Sequence, residues 1–409
     1  MTPTSPIVLA AGGAVAAVAF LAAWALAERE PDYEALAREQ AARDLAVNRA
    51  YAADNPPAAD LDPAPLDART VVSIDGDAFR INGAYTYPRR TWRGRRIEGL
   101  LLNARMVQGV FDDLNPQTRN DWAYPDTGVW DADRNTRDFV AAMPSWRDTG
   151  LLAVSVNLQG GNAHNDDEVW LNTAFAPDGA LYPAYFDRLR SIIEEADRLG
   201  MAVILGLFYF RHDEALEDVA AVEAAVDNTI GWLHDLGARN VLIEINNECD
   251  LDYDHENLTC EGVVDLIDRV RAAERDGHRF PVTTSLQGAT IPTDAILVRS
   301  DYVLLHGNAV YESEGIADMV ERVRASPAWT GGPIVFNEDD NHELDELTNN
   351  FTVAVSNYAS WGFYDRRWED EAFEEGLQSV PVDWRINTDR KRAFFDLVRE
   401  ITGGADADR

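Results

Sequence analysis

From Gly99 to the C-terminus the chain alternates between short apolar segments and longer mixed ones, and this alternation constrains the fold more than any other feature. The apolar segments are rich in Val, Leu and Ile and end abruptly in polar residues, as strands buried on both faces do. Eight strands are predicted in this way, over residues 101–110, 151–158, 202–210, 241–245, 281–285, 302–305, 333–336 and 358–363.

The segments between the predicted strands have the periodicity of helices. Apolar residues recur at three- and four-residue spacing over residues 183–199 and 216–236, which predicts amphipathic helices. Gly200 and Gly237 follow these two segments, at the position where glycine commonly ends a helix. Further helices are predicted over residues 263–274, 316–325, 347–357 and 388–401, and a short, weaker one over residues 291–298.

Eight strand–helix pairs over roughly 300 residues match the count and the size of a (β/α)8 barrel. The alternative is a doubly wound open sheet, which usually carries a glycine-rich phosphate loop after its first strand. Residues 111–115 read Phe-Asp-Asp-Leu-Asn and contain no such loop. We therefore predict an α/β protein whose (β/α)8 barrel spans residues 99–402.

The residues outside the barrel divide into segments by composition. Residues 1–27 include an uncharged stretch over residues 7–27, which predicts either a signal peptide or a membrane anchor and, in both cases, an exported protein. Residues 28–68 are acidic and rich in Ala and Pro, which predicts a linker. Two turn-separated apolar runs predict a small β-hairpin cap over residues 69–98, and residues 403–409 are expected to form a disordered tail.

Charge and cysteine content exclude several classes of function. The formal net charge is −35, whereas a nucleic-acid partner requires a basic face. A zinc site is not expected from two cysteines without a closely spaced histidine pair. Cys249 and Cys260 are the only cysteines; a disulfide and two free thiols both remain open.

Polar residues follow several of the predicted strands, where a (β/α)8 barrel carries its active site. Asn246, Asn247 and Glu248 follow the fourth strand, and Asn337 and Glu338 follow the seventh. The other predicted site residues at strand ends are Arg105, Asn157, Tyr209, His306 and Trp361. Amides, carboxylates and aromatic rings suit a carbohydrate, whose hydroxyls need polar partners and whose ring stacks on an aromatic face. No cofactor and no metal are expected.

The Asn247-Glu248 pair, Glu338, His306 and Trp361 resemble residues at the same strand ends of the clan A retaining glycoside hydrolases, which include the family 5 enzymes. The resemblance covers residues 101–401 as architecture but only a few residues as motifs. It implies that Glu248 is the general acid/base and Glu338 the nucleophile. It also implies that Asn247 binds the sugar 2-hydroxyl and that Trp361 forms the floor of a sugar subsite. Cys249, where the clan often has Pro, and Asn337, which precedes the nucleophile, depart from the common pattern.

The resemblance implies double displacement in an oligo- or polysaccharide. Carboxyl groups about 5–5.5 Å apart are expected for a retaining enzyme and about 6.5–9.5 Å apart for an inverting one. Glu248 should have a raised pKa, while Arg105 should keep the pKa of Glu338 ordinary or lowered. Glu244, inside the fourth strand, is predicted to be a buried or paired structural carboxylate.

Two other functions remain open from the sequence. One is a non-catalytic carbohydrate-binding barrel with the same pocket. The other is a metal-dependent hydrolase that uses Asp112, Asp113, His212 and His306. The sugar, the linkage and the oligomeric state are not predicted.

Overall fold

Eight parallel strands form the centre of the computed structural model, which describes residues 33–161 and 169–404. The strands, numbered here as the first to the eighth barrel strand, are Asn103–Arg105, Ala153–Asn157, Ala202–Tyr209, Val241–Asn247, Val282–Thr283, Val303–His306, Ile334–Glu338 and Gly362–Tyr364. All eight consist entirely of buried residues, which accounts for their nearly continuous apolar sequences.

The strands close into a (β/α)8 barrel, as predicted. The first five pair in sequence order and the eighth pairs with the first, while the sixth pairs with the seventh. A backbone bridge between Val335 and Ser360 joins the seventh strand to the segment before the eighth. A hydrogen bond of 3.1 Å from Asp301 N to Val282 O joins the fifth strand to the start of the sixth.

One helix follows each barrel strand. In chain order these helices are Ala132–Asp148, Pro183–Leu199, Val219–Leu236, Val263–Ala272, Asp294–Leu297, Glu314–Ala325, Asn350–Ser356 and Asp389–Thr402. Short 3-10 turns lie at Val107–Val110, Arg119–Trp122, Asp213–Ala215 and Glu256–Leu258. The predicted glycine ends are present, because Gly200 and Gly237 take left-handed φ angles of 71° and 74°, which glycine adopts at little cost.

Two details differ from the sequence prediction. The helix Ala132–Asp148 was not predicted, because charged residues and Pro144 interrupt its apolar pattern; it packs through buried Phe139, Met143 and Trp146. The first barrel strand ends at Arg105 rather than at residue 110, because the chain turns into a 3-10 helix at Val107.

The described part of the chain ahead of the barrel has regular secondary structure. It forms the helix Tyr33–Asp54 and five short strands, at Val72–Asp75, Ala78–Ile81, Ala84–Tyr85, Thr91–Trp92 and Arg95–Arg96. The first three of these strands make one antiparallel sheet and the last two make a hairpin, within the segment predicted as a β-cap.

The predicted linker over residues 28–68 differs from the structure from Arg43 onward, where the chain belongs to the same compact unit as the barrel. The Asn48 side chain donates hydrogen bonds to the carbonyl oxygens of Phe175 and Ala215, at 3.0 and 2.8 Å. The stretch over residues 7–27 lies outside the described residues. Within 33–161 and 169–404, no helix combines the length and the apolar character needed to cross a membrane.

Candidate active site

Glu248 and Glu338 meet at the carboxyl ends of the fourth and seventh barrel strands. Glu338 is the last residue of its strand, and Glu248 directly follows Asn247 at the end of its own. One carboxylate oxygen of each and a ring nitrogen of His306 lie within 4.8 Å of one another. The two glutamates singled out from the sequence are therefore neighbours at one end of the barrel.

The backbone turns sharply at Glu248. Its φ angle is +56°, in the left-handed region that non-glycine residues rarely occupy and that persists only when neighbouring contacts impose it. The Glu248 amide donates to the Ser285 hydroxyl at 3.0 Å, and the next residue is held by the disulfide between Cys249 and Cys260. These contacts fix the direction of the Glu248 side chain.

The disulfide, which the sequence left open, closes a loop that is fixed at several other points. The Tyr253 hydroxyl donates to the Asn247 carbonyl at 2.5 Å. The amides of Asp254 and His255 both donate to one carboxylate oxygen of Asp213 in the loop after the third strand, at 3.0 and 3.1 Å. The loop after the fourth strand is therefore a rigid wall of the site.

Glu248 has the protonation behaviour of an acid that is neutral below pH 7. Burial raises its pKa to about 7, and the charge on Asp250 adds to this effect while Arg105 opposes it. The Glu248 carboxylate lies 2.9 Å from His306 Nδ1. The raised pKa agrees with the sequence-based expectation for a general acid.

Glu338 is held by a cation and an amide. Its two carboxylate oxygens contact Arg105 Nε at 2.7 Å and Asn308 Nδ2 at 3.0 Å. Burial nevertheless raises the pKa of Glu338, against the lowering effects of Arg105 and His306. The expected ordinary or lowered pKa is therefore corrected: the ion pair only limits a rise that burial causes.

Arg105 joins three strand ends through one buried guanidinium. Besides Glu338, it donates to the Asn247 side-chain oxygen at 2.5 Å and lies 3.9 Å from Glu244. Glu244 also accepts hydrogen bonds from Ser285 at 2.6 Å and from an Asn337 amide at 3.2 Å. Burial acts to lower the pKa of Arg105, but the neighbouring glutamates outweigh it and the pKa lies above its usual range. Glu244 is thus a buried, paired carboxylate.

His306 is a neutral imidazole between the two glutamates. Its side chain is fully buried, and burial lowers its pKa in spite of the nearby charge on Glu338. Nδ1 lies 2.9 Å from Glu248 and 3.5 Å from Glu338. A neutral ring has one N–H, so a hydrogen on Nδ1 can be shared between the two carboxylates.

Three other predicted residues have different positions. Tyr209 lines the cavity above the glutamates. The Asn157 side chain packs closely over Gly206 on the neighbouring strand. A Cβ atom on residue 206 would lie 2.3 Å from the Asn157 side-chain oxygen, so only glycine fits there. Trp361 is fully buried, stacks on Phe351 with ring centroids 4.7 Å apart, and donates its N–H to Asp339 at 2.8 Å. The sugar-contacting role predicted for Trp361 does not fit the structure, because its ring is sealed inside the core.

Two cavities share Glu248. A small cavity of about 250 Å³ is lined by both glutamates and by Tyr209, Tyr364, Arg366 and Trp368. A large cavity of about 690 Å³ is lined by Glu248 together with Gln287, Tyr311, Asn341 and Glu343, and Glu338 is not among its lining residues. Glu248 therefore lies at the boundary between the two spaces, and Glu338 faces one of them.

Sequence reasoning missed the aromatic residues at the rims of these cavities. Trp368 is 49% exposed and Tyr311 is 89% exposed, and they are the only aromatic residues among the large hydrophobic side chains left exposed in the described chain. Each lines one of the two cavities. Both lie in loops beyond strand ends, where no periodic pattern separates a functional residue from a surface one.

The residues proposed for a metal-dependent hydrolase do not come together. Asp113 accepts hydrogen bonds from Thr118 at 2.6 Å and from Trp122 at 2.9 Å, and the His212 ring packs on Trp170. Glu248, His306 and Glu338 are the one group of three or more His, Cys, Asp or Glu among the described residues whose possible ligand atoms lie within 4.8 Å of one another. Any bound metal there would occupy the position between the two glutamates.

No family model and no curated protein sequence matches the chain. An endo-1,4-beta-mannanase from Rhizomucor miehei aligns at a TM-score of 0.50 and 10% identity, over 82% of this chain and 99% of that chain. A family 5 xyloglucan-specific endo-beta-1,4-glucanase from a metagenomic library, solved with cellotriose, aligns at a TM-score of 0.47 and 12% identity. The alignment covers 74% of this chain and 96% of that chain.

A Bacteroides vulgatus protein provisionally described as a glycoside hydrolase aligns at a TM-score of 0.49 and 15% identity, over 79% of this chain. This chain spans 60% of the length of that protein. At 10% identity, the similarity to the mannanase is one of fold alone. The comparison therefore supports the predicted fold and reaches no further.

Proposed function

We propose that the protein is a glycoside hydrolase that retains the anomeric configuration of its substrate, with Glu338 as nucleophile and Glu248 as general acid/base. The observation that carries this proposal is the position of the two carboxylates, with oxygens within 4.8 Å of one another at one end of the barrel. Nearest oxygens this close are compatible with the roughly 5–5.5 Å between the carboxyl groups of retaining enzymes, whereas an inverting enzyme must leave room for a water molecule between its carboxyl groups.

The surroundings of the two glutamates support different roles for them. Arg105 forms an ion pair of 2.7 Å with Glu338, which favours the charged form that a nucleophile needs. Glu248 has a pKa of about 7, close to the value at which one group can donate a proton and later accept one. Glu338 attacks the anomeric carbon while Glu248 protonates the leaving oxygen. Glu248 then removes a proton from a water molecule, whose oxygen attacks the anomeric carbon and displaces the Glu338 carboxylate from the sugar.

The two cavities fit the two sides of the bond that is cleaved. The sugar that is attacked must touch both carboxylates, and of the two cavities described above it is the small one that is lined by both. The leaving group departs on the side of the acid, where the large cavity is lined by Glu248 without Glu338. Trp368 and Tyr311 offer exposed rings on the respective sides, and sugar rings stack on such surfaces.

The Cys249–Cys260 disulfide supports the further proposal that the protein is exported. Disulfides form and persist in oxidising compartments and are rare in the cytosol. Action outside the cytoplasm would suit a substrate too large to enter the cell.

A screen of oligo- and polysaccharides tests the function. Hydrolysis with initial release of the retained anomer, followed by proton NMR, is the expected result. Release of the opposite anomer would contradict the retaining mechanism. Binding without hydrolysis would instead support a carbohydrate-binding barrel, and loss of hydrolysis with chelators would support metal-dependent chemistry.

The pH dependence of kcat/KM should reflect the pKa of Glu248. The group must be protonated to act as the acid, so activity is expected to fall as the pH rises through its pKa of about 7. A second loss is expected at low pH, where Glu338 gains a proton and can no longer act as the nucleophile. Since kcat/KM reports the free enzyme, the loss should be visible in initial rates at low substrate concentration.

A substrate with a 2,4-dinitrophenol leaving group is the control, because that phenolate departs without protonation. Its alkaline loss of rate should be much weaker than for an alkyl glycoside. Equal pH profiles for the two substrates would contradict the role of Glu248.

A further inference from the structure

Arg366 lies at the wall of the small cavity and has no carboxylate partner among the described residues. It lies just beyond the eighth barrel strand and lines the cavity together with both glutamates. Throughout the described chain, no carboxylate lies within 4.0 Å of its guanidinium nitrogens, and its buried Nε makes no hydrogen bond. Its guanidinium carbon lies 4.8 Å from the centre of the Trp368 ring.

Two other arginines near Arg366 find hydrogen-bond or ion-pair partners in the segment after the eighth barrel strand. Arg367 donates to the Pro381 carbonyl at 2.6 Å. Arg390 lies 2.7 Å from Asp365 and also pairs with Glu371. Asp and Glu outnumber Lys and Arg by 71 to 36 in this chain, so a carboxylate partner is the expected surrounding of an arginine here. Arg366 differs from Arg367 and Arg390 because its guanidinium lines the cavity instead of contacting a carbonyl or carboxylate oxygen.

The carboxylates that line the cavity, those of Glu248, Glu338 and Asp340, all lie beyond ion-pair distance of Arg366. The charge of Glu338 is matched by Arg105 at 2.7 Å. Burial lowers the pKa of His342, which favours its neutral form. Asp340 lines the cavity and is exposed, but it lies beyond the 4.0 Å ion-pair distance from Arg366. The hydroxyls of a neutral sugar could accept hydrogen bonds from the guanidinium, but they would leave its charge without a counter-ion once water is displaced, which is costly.

We propose that the sugar bound in the small cavity carries an anionic group, a carboxylate or a sulfate, which Arg366 binds while the sugar ring stacks on Trp368. A guanidinium matches such a group with two parallel hydrogen bonds. The cavity of about 250 Å³ is smaller than the roughly 300–1,000 Å³ of sites for drug-sized ligands, so it suits a single ring. This inference rests on the proposed function, because it assigns the cleaved sugar to this cavity.

The first experiment measures binding, which does not depend on turnover. Glucuronate, galacturonate and glucose 6-sulfate are compared with glucose and galactose by ligand-observed NMR titration. The anionic sugars are expected to bind roughly 10- to 100-fold more tightly, the range for a charge-assisted contact. A preference for the uronates identifies a carboxylate, and a preference for glucose 6-sulfate identifies a sulfate.

Two variants of Arg366 assign the preference to this side chain. Arg366→Met should bind anionic and neutral sugars equally, while Arg366→Lys should keep part of the preference because it keeps the charge. Arg322→Met is the matched control: it removes an exposed arginine that pairs with Asp318 on the helix Glu314–Ala325, and it should leave the preference unchanged. Thermal unfolding verifies that each variant is folded.

The outcomes separate this inference from the proposed function. Hydrolysis of neutral glycosides with no effect of Arg366→Met would overturn the inference and leave the function intact. Arg366-dependent binding of anionic sugars without hydrolysis would support the inference and remove the function. Equal binding of anionic and neutral sugars by the wild-type protein would overturn the inference.

Discussion

Replacing Glu338 with Gln is expected to lower kcat/KM by about 10⁴-fold or more, on the scale of losses that follow removal of a covalent nucleophile. The amide has nearly the same shape but cannot form the glycosyl ester. It also leaves Arg105 without the carboxylate that now lies 2.7 Å from its Nε. The measurement is the initial rate of hydrolysis on a substrate identified by the screen.

Glu248→Gln should behave differently from Glu338→Gln, although both remove one carboxylate from the same site. Loss of a general acid costs about 10²–10⁴-fold, and the loss should be smallest for leaving groups that depart without a proton. Glu338→Gln should be equally inactive on all leaving groups. The contrast distinguishes the two roles even where both variants are slow.

Rescue by azide tests the nucleophile directly. In Glu338→Ala the small anion can attack from the face that the carboxylate vacates, so added azide should restore turnover and give a glycosyl azide of inverted configuration. Glu346→Gln is the control for Glu338→Gln: it makes the same Glu-to-Gln change on an exposed side chain eight positions further on and should retain full activity. Near-wild-type hydrolysis by Glu338→Gln would remove the catalytic assignment.

The glutamate pair could be predicted because its position follows from the strands. Four apolar residues near the start of the fourth strand identify a buried β-segment, and a polar residue just past its end must lie at the barrel mouth. The same argument applies to Glu338, and alternation along the chain brings both ends to one face. The local sequence therefore identifies Glu248 and Glu338 as candidates, and the barrel topology predicts that they lie close together.

The sequence pattern does not predict site residues correctly where their position depends on the direction of a side chain or on the conformation of a loop. Trp361 lies just ahead of the eighth strand, but its ring turns into the core, where it stacks on Phe351. Arg366, Trp368 and Tyr311 lie in loops that have no periodicity to interpret. The disulfide could not be predicted, because eleven positions of separation between two cysteines do not fix their distance.

Replacing Arg105 with Met is expected to have the largest effect on stability, roughly 3–5 kcal/mol, the cost of leaving a buried ionic partner uncompensated. The side chain is 1% exposed. Its guanidinium contacts Glu338 at 2.7 Å and Asn247 at 2.5 Å, and lies 3.9 Å from Glu244. Arg105→Lys keeps the charge but cannot reach all three groups. Its loss of unfolding free energy should therefore lie between zero and the loss in Arg105→Met. Urea unfolding, followed by tryptophan fluorescence, gives the free energies.

The pH dependence of this loss follows from the pKa of Glu338, which burial raises and Arg105 acts to lower. A carboxyl whose pKa is higher in the folded than in the unfolded state contributes stability that is present below the unfolded value and is lost as the pH rises through the folded one. Without Arg105 the rise in pKa is larger. The difference in stability between wild type and Arg105→Met should therefore be small near about pH 4 and large near about pH 7.5.

A double variant separates the charge of Glu338 from packing. Arg105→Met combined with Glu338→Gln removes the uncompensated carboxylate, so the double variant should be more stable at neutral pH than the sum of the two single effects predicts. The coupling should shrink at low pH, where Glu338 gains a proton and becomes neutral like the amide. A loss of stability for Arg105→Met that is the same at both pH values, with no coupling to Glu338→Gln, would show that Arg105 acts by filling space. The electrostatic account of the nucleophile would then be wrong, because it requires that the cation be what keeps Glu338 charged.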